Sequence, residues 1–227
     1  ISGEDISYVK TNPVAGTFSF DSEKENIVSS KEPPPRIDNL DVFGALYSDG
    51  VFEKLLSDGY HPFLQTHRGC PFSCAFCHTS DSYYNRMLFL SPEIFKKDME
   101  YLGKMFSGRH DVVLYLANTN MSLFDQDFDI ARIIADVKKT YDWPQIINVN
   151  SGKKPEKLID MLSIVKFQPG IALQTLTPIV LENIKRKNIP FNDFIKFQHE
   201  VLIKTGETSS TELILCLPGE TKESFLL

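Results

Sequence analysis

From residue 61 onward, the chain alternates between two patterns of apolar and polar positions. Short apolar runs such as 111–117 are typical of strands that are buried on both faces. Longer segments such as 91–106 have apolar residues at helical spacing, and this one begins with Ser-Pro, a helix-start signal. The predicted strands are 62–66, 111–117, 145–150, 170–175 and 210–217. The predicted helices are 91–106, 125–141, 154–165, 177–186, 191–206 and the first part of another at 218–227.

This order predicts an α/β fold, because strands that alternate with helices form parallel sheets. Five strand–helix units are visible, and the chain ends within a predicted helix. We therefore expect a partial (β/α) TIM-like barrel over residues 61–227 that is incomplete at its C-terminal end. In such barrels the chemistry takes place at the carboxyl ends of the strands, so polar residues that follow strands are the candidates for function.

The first 60 residues follow a different pattern. In residues 1–36, the stretches ISYVKT, TFSFDS and IVSS predict two or three short strands in a β-rich arm. The stretch SSKEPPPR (29–36) predicts a linker, because three consecutive prolines continue neither a helix nor a central strand. Residues 37–60 have apolar residues at helical spacing and predict a helical lead-in to the barrel.

The composition is that of an ordinary globular protein, with 227 residues, 42% hydrophobic and 24% charged. A net charge of −6 argues against nonspecific binding to nucleic-acid phosphates. No run of 18 apolar residues occurs, so we expect no membrane span, and the first residues do not resemble a signal peptide. Together with cysteines that do not form a disulfide pattern, this predicts a cytoplasmic protein.

Three of the four cysteines lie within eight residues, in HRGCPFSCAFCHT. Cys70, Cys74 and Cys77 have the spacing C-x3-C-x2-C and directly follow the first predicted strand. Three thiolates on so tight a loop can bind three irons of a [4Fe–4S] cluster and leave the fourth iron open to a small molecule. Two other interpretations remain open. One is a structural zinc site completed by His67 or His78, and the other is a set of buried thiols without a metal.

The cysteine motif resembles that of the radical S-adenosylmethionine (SAM) superfamily, in which an aromatic residue precedes the last cysteine. Four segments resemble, in order, the motifs of superfamily members that carry an N-terminal cobalamin-binding domain: RGCPFSCAFC, LANTN, ALQTLTPIVLENIKRKNI and TELILCLPGET. The resemblance covers roughly residues 37–227. It implies that residues 1–36 are the tail of a cobalamin-binding domain that this chain does not contain.

The resemblance also implies residues that bind SAM, whereas no catalytic residue is assigned. Phe76 corresponds to the aromatic residue beside the adenine, and Asn118 and Asn120 follow the second strand, where the family places polar groups that meet the SAM amine. Many relatives have an acidic residue at the position of Asn118. Core packing for Phe76 and loop capping for the asparagines are the competing interpretations.

Further along, Gln174 and Thr175 end the fourth strand, which in the family contacts the ribose. Arg186 is the residue expected to bind the SAM carboxylate, since a guanidinium binds a carboxylate through two parallel hydrogen bonds. Leu217 begins the LPGET segment that packs against the adenine. Cys216 occupies a position where relatives often have glycine, and we expect a buried thiol at the end of the strand rather than a fourth cluster ligand.

The resemblance implies a radical SAM enzyme in which the cluster reductively cleaves SAM to a 5′-deoxyadenosyl radical. Cobalamin-dependent radical methylation or related C–H chemistry is the expected reaction. The alternatives are a radical SAM enzyme without cobalamin, similar to a methylthiotransferase, and a non-enzymatic zinc-binding scaffold. The expected partners are a small-molecule or peptide substrate and a reductase, flavodoxin or ferredoxin that donates electrons, with no nucleic acid.

Overall fold

The computed structural model describes residues 6–30 and 36–226, and the chain divides into two compact units, 1–38 and 39–227. Five residues of the predicted proline-rich linker, 31–35, lie outside the described residues. Within the described ranges, no helix has both the length and the apolar character needed to cross a bilayer.

The first unit contains one short helix and one hairpin. Helix α1 covers Ile6–Thr11, and strand β1 (Phe18–Asp21) pairs antiparallel with strand β2 (Asn26–Ser29). Strands β1 and β2 agree with the strands predicted at TFSFDS and IVSS, but the strand predicted at ISYVKT is wrong because these residues form α1. The Tyr8 carbonyl accepts hydrogen bonds from the backbone N–H of Asn12 at 2.8 Å and from its side chain at 3.2 Å. Such local bonds satisfy the helix end without a partner strand.

The second unit has an α/β architecture that includes a parallel sheet. Its helices in chain order are α2 (Glu53–Ser57), α3 (Pro92–Met105), α4 (Gln126–Tyr141), α5 (Pro155–Ile164), α6 (Pro178–Asn183), α7 (Phe191–Thr205) and α8 (Lys222–Leu226). Its strands are β3 (Phe63–Leu64), β4 (His67–Arg68), β5 (Leu88–Phe89), β6 (Leu114–Met121) and β7 (Ile147–Ser151), and 3-10 turns cover Asp41–Phe43 and His78–Ser80. The parallel sheet has the order β3-β6-β7, and β4 pairs antiparallel with β5.

The middle strand, β6, organises the core. Its residues alternate between buried and half-buried, and Leu116 lies opposite Leu64 of β3 and Val149 of β7. Helices α3 and α4 pack against each other outside the sheet, where Gly103 allows close approach: a Cβ atom there would lie 2.5 Å from the Tyr141 ring. The buried apolar faces of these helices match the period predicted from the sequence.

The predicted strands at 170–175 and 210–217 are not regular strands. In the described part of the chain they meet through two isolated parallel bridges. The reason lies in the backbone, because Gln174 has φ of 66° and Cys216 has φ of 60°. Both angles fall in the left-handed region, which interrupts the extended conformation that a longer ladder requires. Helix α6 is also shorter than predicted, since Lys185 has φ of 54°.

The lead-in before β3 is fixed to α3 by one buried carboxylate. Asp98 Oδ1 accepts backbone hydrogen bonds from Tyr47 at 3.0 Å and from Ser48 at 2.9 Å. The Tyr47 hydroxyl donates to the Phe63 carbonyl at 3.0 Å and accepts from the Phe63 N–H at 2.8 Å. Burial raises the pKa of Asp98, and the two backbone hydrogen bonds oppose that rise. The position of β3, and of the segment that follows it, therefore depends on Asp98.

Replacing Asp98 with alanine should destabilise the second unit, because two N–H groups would lose their acceptor. We expect the Asp98→Ala variant to lose about 3 kcal/mol of unfolding free energy, measured by urea titration. Asp98→Asn keeps a carbonyl oxygen and should lose less. Glu100→Ala on the exposed side of the same helix is the matched control. Equal stability of Asp98→Ala and Glu100→Ala would contradict this account of the lead-in.

Candidate functional site

A cavity of about 370 Å³ opens where the carboxyl ends of β6 and β7 meet the loop that follows β4. Parallel strands place their carboxyl ends at one edge of the sheet, which is the usual location of a site in this architecture. The lining residues are Cys70, Phe72, Cys74, Phe76, Cys77, Thr79, Thr119, Asn120, Val149, Asn150, Ser151, Lys153, Gln168, Gly170, Ala172, Gln174, Arg186, Ser210, Thr211 and Glu212.

The cavity brings together most of the residues singled out from the sequence. Those that line it are Cys70, Cys74, Cys77, Phe76, Asn120, Gln174 and Arg186. Those that do not line it are Asn118, Thr175 and Leu217. Cys216 does not line it either, and the expectation of a buried thiol there is wrong because Cys216 is exposed. The residues that line it come from segments far apart in sequence, so the fold assembles the site.

The cysteine loop is fixed by backbone hydrogen bonds to two different segments. The Cys70 N–H donates to the Tyr84 carbonyl at 3.0 Å, and the Ala75 N–H donates to the Ile184 carbonyl at 2.9 Å. Cys70 and Cys74 are buried, whereas Cys77 is half-buried. The sulfur atoms therefore belong to a loop with a defined path along one wall of the cavity.

The start of the loop requires a residue without a side chain. Gly69 has φ of 108°, and a Cβ atom there would lie 2.6 Å from the Arg86 carbonyl oxygen and 2.8 Å from that of Tyr84. These are backbone atoms, so they cannot swing aside as the end of a flexible side chain could. Gly69 thus permits the close approach that positions the Cys70 N–H opposite its acceptor.

Strand β6 holds the same loop from the other side. The Thr119 hydroxyl donates to the Gly69 carbonyl at 2.9 Å, and Asn120 Nδ2 lies 3.4 Å from the Cys70 sulfur. Asn120 is buried, and its amide can donate a hydrogen bond to a thiolate. Asn120 therefore faces the cysteine wall of the cavity, although the sequence resemblance assigned it to the SAM amine.

Two basic side chains approach Cys74. Lys153 Nζ lies 3.8 Å from the Cys74 sulfur and 4.1 Å from the centroid of the Phe72 ring. Arg186 Nη1 lies 3.7 Å from the same sulfur, and its other nitrogens donate to Asn188 Oδ1 and the Ala172 carbonyl. Burial and the neighbouring Arg186 charge lower the pKa of Lys153, and the Cys74 sulfur partly opposes that shift.

Lys153 is a functional candidate that the sequence reasoning did not single out. It lies two residues after Ser151, the last residue of β7, and it lines the cavity. Its place in the turn between a strand and a helix was the signal that could have identified it.

Gln174 contributes a polar atom that has no protein partner. Its Oε1 is buried and accepts no hydrogen bond from the described residues. The residue as a whole is only 8% exposed. The backbone is well fixed, since the Gln174 N–H donates to the Glu212 carbonyl at 2.7 Å and its carbonyl accepts from Ile214 at 2.8 Å. A buried acceptor on a cavity wall can be satisfied by a ligand that donates to it.

Asn118 has a structural environment in this fold. Its Oδ1 accepts from the Thr66 N–H at 2.9 Å, and its Nδ2 donates to the Thr66 hydroxyl at 2.6 Å. The side chain is fully buried and connects β6 to the chain just before β4. This arrangement does not support the predicted contact between Asn118 and the SAM amine.

Thr175 and Leu217 also point elsewhere. The Thr175 hydroxyl donates to Glu220 Oε2 at 2.7 Å, which connects the end of the segment at 170–175 to the chain just after 210–217. Leu217 packs in a small core cluster with Val180 and Ile184. The side chains of both residues support the framework around the cavity, and their predicted SAM contacts stay predictions.

The two histidines considered as zinc ligands are engaged with other side chains. His67 Nδ1 lies 3.2 Å from Asp127 Oδ1 in a buried pair, and His78 Nε2 lies 3.2 Å from the Tyr84 hydroxyl. Neither histidine lines the cavity. Within residues 6–30 and 36–226, no three side chains of His, Cys, Asp or Glu are arranged as a site for a single metal ion.

A glycine comparison tests the close approach at the start of the loop. Gly59 also has a positive φ, 92°, but nothing lies within 4 Å of a Cβ atom there. Gly59→Ala should therefore cost only backbone strain, about 1 kcal/mol, whereas Gly69→Ala should cost about 3 kcal/mol because backbone atoms must move. Urea unfolding measures both variants.

The Gly69→Ala and Gly59→Ala variants can also be compared by the reactivity of the cysteines. Gly69→Ala should make Cys70 and Cys74 react faster with a thiol reagent, and Gly59→Ala should leave their reaction rates unchanged. Indistinguishable unfolding free energies and thiol rates in the two variants would refute the role assigned to Gly69.

The chain is similar to one protein family and to two methyltransferases. The sequence model of the Radical SAM superfamily matches residues 64–226. A 2-(S-pantetheinyl)-carbapenam-3-carboxylate methyltransferase from Streptantibioticus cattleyicolor is 30% identical over 173 residues, which are 73% of this chain and 24% of that protein. The cobalamin-dependent radical SAM methyltransferase TokK from Streptomyces tokunonensis is 28% identical over 205 residues, 86% of this chain and 29% of TokK. The chain thus spans 24% and 29% of the length of these two relatives.

Solved structures with the same fold agree with this match. TsrM from Kitasatospora setae, a radical SAM methyltransferase solved with its tryptophan substrate and a SAM analog, superposes with a TM-score of 0.65 and 18% identity. The likeness covers 98% of this chain and 43% of TsrM. The cobalamin-dependent radical enzyme OxsB, solved with aqua-cobalamin, gives a TM-score of 0.57 and 14% identity over 89% of this chain and 30% of OxsB. At these identities the likeness concerns the fold.

Proposed function

We propose, because this chain belongs to the radical SAM superfamily, that its cavity binds a [4Fe–4S] cluster through Cys70, Cys74 and Cys77, with SAM beside it. The observation that carries the proposal is that the sulfur atoms of one fixed loop line a single cavity. The donor set fits the group, since iron–sulfur clusters take cysteine thiolates and a set of three leaves one iron open.

The walls of the cavity also fit a ligand such as SAM. The orphaned Gln174 Oε1 would accept a hydrogen bond from a hydroxyl of the ligand, and Phe76, which is exposed on the cavity wall, offers a face to an adenine ring. Arg186 and Lys153 supply positive charge on the side where a carboxylate would lie. When bound, the cluster and SAM would supply reductive cleavage to a 5′-deoxyadenosyl radical.

The chain's own residues then have distinct roles. Asn120 would donate to the Cys70 thiolate, and Gly69 and the Tyr84 carbonyl would keep the cysteine loop in place. The buried position of Cys70 and Cys74 would exclude water from that side of the site, which strengthens electrostatic interactions there.

We extend the proposal to cobalamin-dependent radical methylation of a small-molecule or peptide substrate. Its support is that TokK is named as a cobalamin-dependent radical SAM methyltransferase, and that OxsB was solved with cobalamin bound. On this proposal cobalamin binds to a domain outside this chain, and a reductase, flavodoxin or ferredoxin delivers the electron. The parallel sheet together with the bridged segments at 170–175 and 210–217 would form part of a (β/α) barrel.

Anaerobic reconstitution with iron and sulfide tests the cluster. We expect about four irons per chain, broad visible absorption and, after addition of dithionite and SAM, release of 5′-deoxyadenosine. Cys74→Ala should abolish both, whereas Cys216→Ala should retain both, because Cys216 is exposed and does not line the cavity. Tight zinc binding without a four-iron cluster would overturn the proposal in favour of a scaffold role.

Binding of SAM tests the role of Gln174. Gln174→Met keeps the length of the side chain but removes the acceptor, so the reconstituted protein should bind SAM about tenfold more weakly. Equilibrium dialysis with labelled SAM measures the affinity. Gln145→Met, in the loop before β7 and outside the cavity lining, is the control and should bind as the wild type does. Unchanged affinity in Gln174→Met would remove Gln174 from the site.

A further inference from the structure

The ammonium group of Lys153 lies in an unusual position for a lysine. Its side chain is half-buried, it points into the cavity, and its nitrogen lies 3.8 Å from the Cys74 sulfur and 4.1 Å from the Phe72 ring centroid. Among the described residues no salt bridge joins it to a carboxylate. A desolvated cation in such a place is costly unless a negative charge compensates it.

Arg186 does not make Lys153 redundant. Its guanidinium is tied into the protein, because Nε donates to Asn188 Oδ1 at 3.0 Å and Nη2 donates to the Ala172 carbonyl. Lys153 in contrast has three N–H donors, and within the cavity its ammonium group contacts the Cys74 sulfur and the face of the Phe72 ring. Both side chains therefore place positive charge beside Cys74, and Lys153 adds a second charge that is free of hydrogen bonds to those carbonyl and amide oxygens.

We propose that Lys153 is a positioning residue that sets the reduction potential of the cluster held at Cys74. The inference rests on the cluster proposed above. Hydrogen bonds to the sulfur ligands and nearby charge are among the main determinants of iron–sulfur potentials. Reduction adds one electron to the cluster, so a fixed cation a few ångströms away stabilises the reduced form more than the oxidised form. The effect is large where burial lowers the local dielectric constant.

The Phe72 ring contributes to this geometry. The ammonium group lies over its face, and the attraction between a cation and an aromatic face favours one orientation of the lysine. The contact lets Lys153 keep its charge close to Cys74 without a carboxylate, which would cancel that charge. Removal of Lys153 should therefore make the cluster harder to reduce while leaving its three ligands in place.

The test is a redox titration of the reconstituted protein without SAM, with dithionite as the reductant and EPR of the reduced cluster as the readout. The single electron passes from dithionite to the cluster, and no bond forms or breaks. Lys153→Met should lower the equilibrium constant for reduction of the cluster tenfold. For a one-electron couple this makes the midpoint potential more negative by ~59 mV. Lys153→Gln, which is uncharged but polar, should shift it in the same direction.

Two further variants separate charge from packing. Lys153→Arg keeps the positive charge and should restore a potential close to that of the wild type. Lys154→Met removes a charge from the adjacent exposed residue and should leave the potential unchanged. Iron content is measured for every variant, so loss of the cluster is distinguished from a shift in its potential, and Lys153→Gln provides the comparison if Lys153→Met assembles no cluster.

The outcomes distinguish this inference from the proposed function. A wild-type protein that assembles no four-iron cluster overturns both. A normal wild-type cluster together with unchanged potentials in the uncharged Lys153 variants overturns the role of Lys153 alone. An equal negative shift in Lys153→Arg and Lys153→Met would also overturn it, because the effect would then come from packing and not from charge.

Discussion

The close approach of Gly69 to the backbone at Tyr84 and Arg86 is the contact on which the rest of the site depends. Three cysteine sulfurs can line one cavity only if the backbone that carries them is fixed. A peptide unit packed directly against another peptide unit leaves no room for adjustment. The hydrogen bond from the Cys70 N–H to the Tyr84 carbonyl follows from that approach. Further along, the bond between Ala75 and the Ile184 carbonyl ties the loop to the end of α6, close to Arg186.

The electrostatics of the cavity differ from those of the whole chain. The protein carries a net charge of −6, yet Lys153 and Arg186 place basic nitrogens 3.8 Å and 3.7 Å from the Cys74 sulfur. Positive charge in a partly desolvated site favours ligands and cofactors with negative charge, whereas surface charge is screened by salt over about 10 Å. The composition alone therefore describes the surface and says little about the site.

The helices were predicted well because their apolar period reports directly on burial. Helices α3, α4, α5 and α7 begin and end within one or two residues of the predicted bounds. The last two predicted strands failed for a reason that composition does not encode, namely the left-handed backbone at Gln174 and Cys216. An apolar run can show that a segment is buried, but it does not show whether the segment continues a hydrogen-bonded ladder.

The site was predictable where the spacing of residues carried the information. The three cysteines lie on one loop, and that loop lines the cavity as expected. Assignments that depended on side-chain direction were less successful, since Asn118 and Asn120 lie on the same strand but serve different partners. Lys153 was missed because a single lysine between a strand and a helix resembles any solvated turn.

Three consecutive residues of β6 fasten successive parts of the chain from Thr66 to Cys70. Asn118 accepts a hydrogen bond from the Thr66 N–H, and Thr119 donates one to the Gly69 carbonyl. Asn120 contacts the Cys70 sulfur. The conformational entropy of this part of the loop is therefore lost when β6 folds, and not when a metal centre arrives. A protein built in this way presents its first cysteine already arranged, so that cluster insertion has a smaller ordering cost than it would have on a flexible peptide with the same spacing.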